Sequence, residues 1–252
     1  MQNMSTSAYN EGWQSKWDDM KTYGPFSRHL RRILKEMIRP LDFRSVLDVG
    51  CGQGAFLQEL QSEFPYIEPN GIDISSSAVE LARKRVVNGR FSVLDITSKF
   101  LEEKCDLVVC SEVLEHIPDD VLALQNLRRM TGRYLLISTP QGRMREFEKQ
   151  VGHVRNYAPG ELVKKITTNG FTVRSVVEWG FPFYSPLYRN FLDLTGSRGT
   201  TGQFGSFRKL IAHLIYLLFH FNSSKRGDEI VVLAEVSRNV TSEEGKSRNG
   251  DQ

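Results

Sequence analysis

Three glycines at alternate positions, Gly50, Gly52 and Gly54, follow the apolar run VLDV, and three carboxylates, Asp48, Asp73 and Asp95, close successive apolar runs. Glycine at that spacing lets a loop turn sharply and lets a ligand lie against bare backbone, with the next helix N-terminus aimed at it. The segment departs from a dinucleotide fingerprint by placing bulky Phe56 near the close helix–strand approach, and it lacks the Gly-Lys-Ser or Gly-Lys-Thr of a phosphate loop. Asp48, just before the first glycine, can attract an ammonium group. Asp73 can accept both hydroxyls of a ribose. Asp95, beside Ile96, suits the exocyclic amine and apolar face of an adenine. Singly, each acid reads as a helix cap or turn residue. Together they describe a ligand with a nucleoside and an amino-acid head but no phosphate.

A second group lies downstream. In SEVLEHIPDD, Glu112, Glu115 and His116 fall at i, i+3 and i+4, and on a helix they would share one face. His153, in VGHVRNYAPGEL, follows the fifth apolar run, so chain topology can bring it above the same pocket.

Alternating strands and helices must hold these residues. SVLDV, NGIDI, RFSVLD, CDLVVC, RYLLIST, FTVRSVVEW and DEIVVLAEV read as strands, and AFLQELQSEF, SSSAVELARKRVV and DDVLALQNLRRM between them carry helical apolar spacing. That order predicts an α/β fold: a Rossmann-like, doubly wound, seven-stranded, mostly parallel sheet whose last strand forms an antiparallel hairpin. Ligands of such sheets bind beyond the carboxyl ends of the strands where strand order reverses, which is where the glycine loop belongs. YGPFSRHLRRILKEMIRPL predicts one amphipathic helix ahead of the sheet, preceded by Tyr9, Trp13 and Trp17. The division expected is a helical lid segment at 1–40, the sheet domain at 41–181 and 227–237, an inserted cap at 182–226 and a disordered tail at 238–252. In the insert, FRKLIAHLIYLLFHF is apolar nearly all round, with Phe207, Leu210, Ile211, Leu214, Ile215 and Leu218 on one face. Its alternatives are packing on the core or a second subunit, a cap over an apolar substrate, and a contact with a membrane surface helped by nearby cations.

The motifs VLDVGCGQG, GIDIS, LDIT and CSEVLEHIPD, in this order and spacing, resemble the class I S-adenosylmethionine-dependent methyltransferases from about Arg44 to Ser138. The resemblance implies S-adenosylmethionine as cofactor. It lays the glycine loop, Asp48 and Cys51 included, along the methionine part. Asp73 and Ile74 then hold the ribose, Asp95 and Ile96 frame the adenine, and Ser111 and Glu112 stand near the sulfonium. Methyl transfer from a sulfonium is an in-line displacement that needs alignment and removal of a proton from the acceptor, for which His116 and His153 are the candidates. The set Glu112, Glu115, His116 and His153 also resembles the metal pattern of small-RNA 2′-O-methyltransferases and ubiquinone-pathway O-methyltransferases, and it suits a divalent ion such as Mg, Mn or Zn. Many enzymes with E-H-I-P carry no metal, so both roles stay open.

The chain has 252 residues, a formal net charge of +3, 40% hydrophobic and 25% charged residues. That is a soluble globular composition with no basic stripe, so nucleic acid is not an expected partner. Three cysteines are too few for a disulfide framework, and no run reaches the ~18 apolar residues that span a bilayer. The expectation is a cytoplasmic methyltransferase, with a peripheral membrane contact as one option, acting on a small apolar acceptor, most readily at oxygen. The alternatives are an RNA or protein methyltransferase and a non-catalytic cofactor-binding scaffold. The sequence leaves the oligomeric state open.

Overall fold

The computed structural model describes residues 5–15, 17–195 and 201–237; the tail expected at 238–252 lies outside them. Seven strands form one sheet in the order β3-β2-β1-β4-β5-β7-β6. They span Ser45–Val49 (β1), Glu68–Asp73 (β2), Arg90–Val93 (β3), Cys105–Ser111 (β4), Thr131–Pro140 (β5), Phe171–Trp179 (β6) and Glu229–Val236 (β7). β1 to β5 pair in parallel, and β7 runs antiparallel to both β5 and β6. The expected doubly wound sheet with its antiparallel hairpin is therefore present. Strand order reverses between β1 and β4, which opens a crevice beyond their carboxyl ends.

Both faces of the sheet are covered, and the period-2 alternation of the strands feeds two cores. Val46, Leu107, Val109, Val231 and Leu233 face one, with Leu34 and Ile38 of α3 (Pro25–Ile38) and Leu57 and Leu60 of α4 (Ala55–Glu63). Leu47, Val108, Cys110, Val232 and Ala234 face the other, with Leu124 and Leu127 of α6 (Asp120–Met130) and Ile166 of α8 (Glu161–Thr168). α3 starts with Pro25 in its first turn, where the missing N–H costs nothing. α5 (Ser76–Arg85) is capped by the Ser75 hydroxyl accepting from Ala78 N at 3.2 Å, and α6 by Asp119 accepting from Leu122 N at 3.0 Å.

Two short helices precede α3: α1 (Thr6–Ser15) and α2 (Asp18–Tyr23). Between β5 and α8 a loop carries α7 (Glu146–Gln150), and between β6 and β7 lie α9 (Arg189–Thr195) and α10 (Ser206–Phe219). α10, expected to be apolar nearly all round, has one side covered. It packs inward through Ala212 and Phe219, with Ile215 beside them, whereas Phe207, Leu210, Ile211, Leu214 and Leu218 face outward. The aromatic cluster of Trp179, Tyr184 and Tyr188 is complementary to Phe219, so the stripe that meets the protein is the one with the single large ring rather than the one with most apolar residues.

Candidate active site

The cofactor end of the crevice is held by main-chain hydrogen bonds. The Gly50 and Cys51 amides both donate to Ile72 O, at 2.8 and 3.1 Å, which fixes the loop after β1 against the end of β2. Asp73, only 7% exposed, clamps the two loops: Gly52 N donates to its Oδ2 and Ser75 N to its Oδ1, each at 2.9 Å. Each carboxylate oxygen keeps a lone pair for a further donor. Gly50, Gly52 and Gly54 have φ of 75°, 52° and 79°, a region that residues with a Cβ enter at a cost. A Cβ on Gly50 would strike Val113, and one on Gly52 would sit 2.6 Å from the Trp13 ring.

Asp48 is buried on β1, where loss of water and the nearby Asp73 charge push its carboxyl up to about 8. A carboxyl so placed gains most from a cation that would share its site. Ile74 follows Asp73 half-buried, and Cys51 is buried as a thiol raised well above the usual range by desolvation. Asp95 departs from its expected place. β3 ends at Val93, and the Asp95 side chain closes the following turn, its Oδ1 accepting from Thr97 N at 2.8 Å and Thr97 Oγ1 at 2.7 Å. This Asx-turn explains the acid locally while leaving Oδ2 for an amine. Ile96 is 5% exposed and its carbonyl accepts from Asn126 Nδ2 at 2.7 Å, so α6 pins the strip that would face an adenine.

Beyond β4 the chain does not form the α-helix that would place Glu112, Glu115 and His116 on one face. Glu112 adopts φ 58° and Leu114–His116 make a single 3-10 turn. The reason is the strand end: Glu112 N donates back to Ser138 O at 3.0 Å, and its carboxylate accepts from Ser138 Oγ at 3.1 Å, next to Ser111 Oγ at 2.8 Å from that same hydroxyl. Glu112 is therefore turned toward β5 and β7, where it lies against Glu229. Glu115 and His116 instead meet His153. Their ligating atoms lie within 4.8 Å of one another, and the two imidazoles stand edge to face at 4.7 Å between centroids. Three of the four residues expected to share a metal come together; Glu112 does not join them.

Buried polar atoms in this trio lack partners. Glu115 is 0% exposed; its Oε2 accepts from Thr139 Oγ1 at 3.1 Å, but Oε1 has no hydrogen bond and faces His116 Nε2 at 3.9 Å. His116 Nδ1 lies 3.2 Å from the Gly152 carbonyl, which can only accept, so that nitrogen carries the proton and Nε2 presents a lone pair. His153 Nδ1 is likewise buried without a partner. Burial lowers His116 to about 4 and His153 to about 3, so both rings are neutral at pH 7. Burial also raises Glu115 and Glu229, each held up further by Glu112. A buried carboxyl oxygen and a buried ring nitrogen without partners are costly, which leaves the trio able to gain from a further ligand.

Several neighbours carry little signal in the sequence. Lys21 of α2 adds positive potential at Asp73, Glu112, Glu115, His116 and His153. Glu229, at 0% exposure, precedes the apolar run Ile230–Ala234 of β7, and that incongruity is its only clue. α1 lies across the crevice: Trp13 packs on Gly52, Asn10 Oδ1 accepts from Ser75 Oγ at 2.6 Å, and Tyr9 stands near Asp73 and Glu115, its hydroxyl raised to about 12 mainly by burial. Arg28 of α3 has its Nη1 3.1 Å from His213 Nδ1 and its guanidinium over Tyr216.

Residues 43–186, more than half of the chain, match the family described as "Methyltransferase domain". The chain belongs to the methyltransferase domain family. Its sheet and glycine loop are those of the class I, S-adenosylmethionine-dependent type. A ubiquinone biosynthesis O-methyltransferase of Glaesserella parasuis is 27% identical over 214 residues, covering 69% of this methyltransferase and 85% of the relative. A malonyl-[acyl-carrier protein] O-methyltransferase of Priestia megaterium is 24% identical, with 56% and 58% covered. For several curated relatives the match spans only about half of their length, 46% in the case of an uncharacterised protein of Rickettsia prowazekii. Among solved structures, the N-methyltransferase NodS of Bradyrhizobium japonicum in complex with S-adenosyl-L-homocysteine superposes with a TM-score of 0.60 at 18% identity, covering 92% of this chain and 98% of that one.

Proposed function

We propose that this methyltransferase moves the methyl group of S-adenosylmethionine to an oxygen of a small acceptor whose reacting end is polar and whose body is apolar. The observation that carries the acceptor end is the convergence of Glu115, His116 and His153 with two of their buried atoms unpartnered. At the other end, the uncompensated Asp48 matches the ammonium of an amino-acid head, Asp73 the ribose hydroxyls, and the Asp95–Ile96 strip the adenine. Ser111 and Glu112, on the tip of β4, separate the two ends, where the sulfonium would lie.

The residues would contribute by alignment and by handling one proton. A neutral imidazole lowered to about 4 is a poor match to a hydroxyl proton at neutral pH, so His116 alone is a weak general base. The same neutral lone pair, with Glu115 Oε1 and His153 Nδ1, fits a divalent cation. Such an ion, when bound, would lower the pKa of an acceptor hydroxyl. Thr139 and the Gly152 carbonyl hold Glu115 and His116 in the orientation this requires. Lys21 tempers the negative potential, and α1 and α2, within 1–40, act as a lid that excludes water, with 182–226 as the cap. Free, buried cysteines fit a reducing cytoplasm.

The test is transfer of labelled methyl from S-adenosylmethionine to pools of phenols, quinols, lipids and RNA, with and without chelator. Label in an organic-soluble product that disappears with chelator is expected. Label in RNA or protein, or full turnover in chelator, would reject the acceptor or the cation respectively.

A further inference from the structure

We propose that α10 is a membrane-surface anchor, its outward apolar face lying in the head-group region of an anionic bilayer. The helix has two apolar sides. Ala212 and Phe219, 5% and 0% exposed, seat it on the protein. On the other side Phe207, Leu210, Ile211, Leu214, Leu217 and Leu218 are 75%, 54%, 42%, 56%, 46% and 41% exposed, and Phe221 just beyond the helix is 76% exposed. At helical spacing these six side chains fall within an arc of about 120°, where a surface helix of a water-soluble protein carries polar groups. Single exposed leucines are ordinary, but a continuous strip of this kind marks a contact.

Charge selects the occupant. From Thr201 to Gly227 the chain contains no Asp or Glu; Lys225 and Arg226 are exposed just past the helix beside Phe221, while Arg208 and Lys209 are half-buried against Phe204 and Tyr23. A second copy of the chain docked on this face would find no carboxylate in the segment to pair the exposed Lys225 and Arg226. An anionic lipid surface accepts the apolar strip and the cations together, long side chains snorkelling to the head groups. The helix lies on the bilayer rather than crossing it. Its 14 residues extend about 21 Å against a hydrocarbon core of about 30 Å. Among the described residues no helix is long and apolar enough to cross a membrane.

The anchor adjoins the lid. Phe204 N donates to Asp19 Oδ2 at 2.6 Å, and Lys209 Nζ stands 4.0 Å over the Tyr23 ring, both on α2, the helix that carries Lys21. Seating α10 on lipid therefore brings the lid to the bilayer surface. On the function proposed above, which this last step alone relies on, an acceptor with an apolar body would enter from the lipid side.

Co-sedimentation with vesicles of phosphatidylcholine, alone or mixed with phosphatidylglycerol, tests the anchor. The protein is expected to sediment with the mixed vesicles and to be released as salt rises. The triple variant Leu210→Ser, Leu214→Ser, Leu218→Ser should lower the bound fraction at least about ten-fold, with unchanged circular dichroism. Absence of wild-type binding to the mixed vesicles, or equal binding by the variant, overturns the proposal. So does a dimer by light scattering that the variant converts to a monomer while vesicles bind neither. Calorimetric binding of S-adenosylhomocysteine on the same samples reports the methyltransferase reading separately, so the two cannot fail together unnoticed.

Discussion

The two ends of the crevice are built in opposite ways. At the cofactor end, Asp73 spends both oxygens on the Gly52 and Ser75 amides, and the glycine loop is tied to Ile72 O, so the loop's backbone is held in place while Asp48 is left for a ligand. At the acceptor end, Glu115 Oε1 and His153 Nδ1 are buried without a hydrogen bond and Glu229 is pressed against Glu112, and their carriers come from the β4 tip, the loop after β5 and the start of β7. The difference separates a rigid cradle from a site that is completed by what it binds. Rigidity comes from closed hydrogen-bond accounts at short sequence range, and receptivity from open ones at long range.

The sharpest way to break that contrast is Glu115→Gln. It keeps the volume and the Thr139 contact but removes the ionisable oxygen that a cation would need, so turnover should fall about a hundred-fold or more while cofactor affinity holds, as read by steady-state kinetics beside calorimetry. Equal losses in both would erase the division between the ends. Next, Asp73→Ala strips two charge-assisted hydrogen bonds from the loops together with the ribose acceptor, and cofactor affinity should drop about ten- to a hundred-fold. A dissociation constant that stayed put would dissolve the assigned cradle. Gly52→Ala forces a Cβ into a positive-φ position 2.6 Å from Trp13, and it should cost about 1–3 kcal/mol in thermal or denaturant unfolding. No change would show that α1 does not rest on the loop.

The smallest effects are protonic. The Asp48 carboxyl is raised to about 8, so in the free protein it holds its proton at pH 7, and a bound ammonium should expel it. Calorimetry in buffers of different ionisation heat should find close to one proton released; none would remove Asp48 from the ammonium site. For His29, His116 and His153, burial lowers the folded-state values to about 3, 4 and 3 from 6.5. The unfolded chain then binds protons that the folded chain refuses, so their contribution to stability is present above about 6.5 and is lost as pH falls from there toward 4. A melting temperature flat over that window would mean these rings are open to water.

The elements were legible because each strand carries its own alternation, each of α4, α5 and α6 its own period, and α5 and α6 their own side-chain caps. FTVRSVVEW, for example, coincides with β6 from Phe171 to Trp179. Asp73 was legible for the same reason, since its place at the end of β2 is a local property. Asp95 was half legible: the acid was found, but Thr97 two residues on uses one of its oxygens. Glu112 was misplaced, because helical spacing said nothing of the Ser138 carbonyl that draws its backbone out of the helix. α10 was recognised as apolar all round, yet which side is covered depended on the ring cluster around Tyr184, assembled from elsewhere in the chain.

The sequence by itself therefore determined the doubly wound sheet, the glycine loop and the acids at strand ends, since period, propensity and turn chemistry act over a few neighbouring residues. Only the tertiary structure decided that His153 meets Glu115 and His116, that Glu229 lies against Glu112 while Lys21 adds positive potential to these groups, and that the outer side of α10 is left bare. Those outcomes depend on contacts between residues far apart in the chain, and their distances are set by packing, which no local pattern encodes.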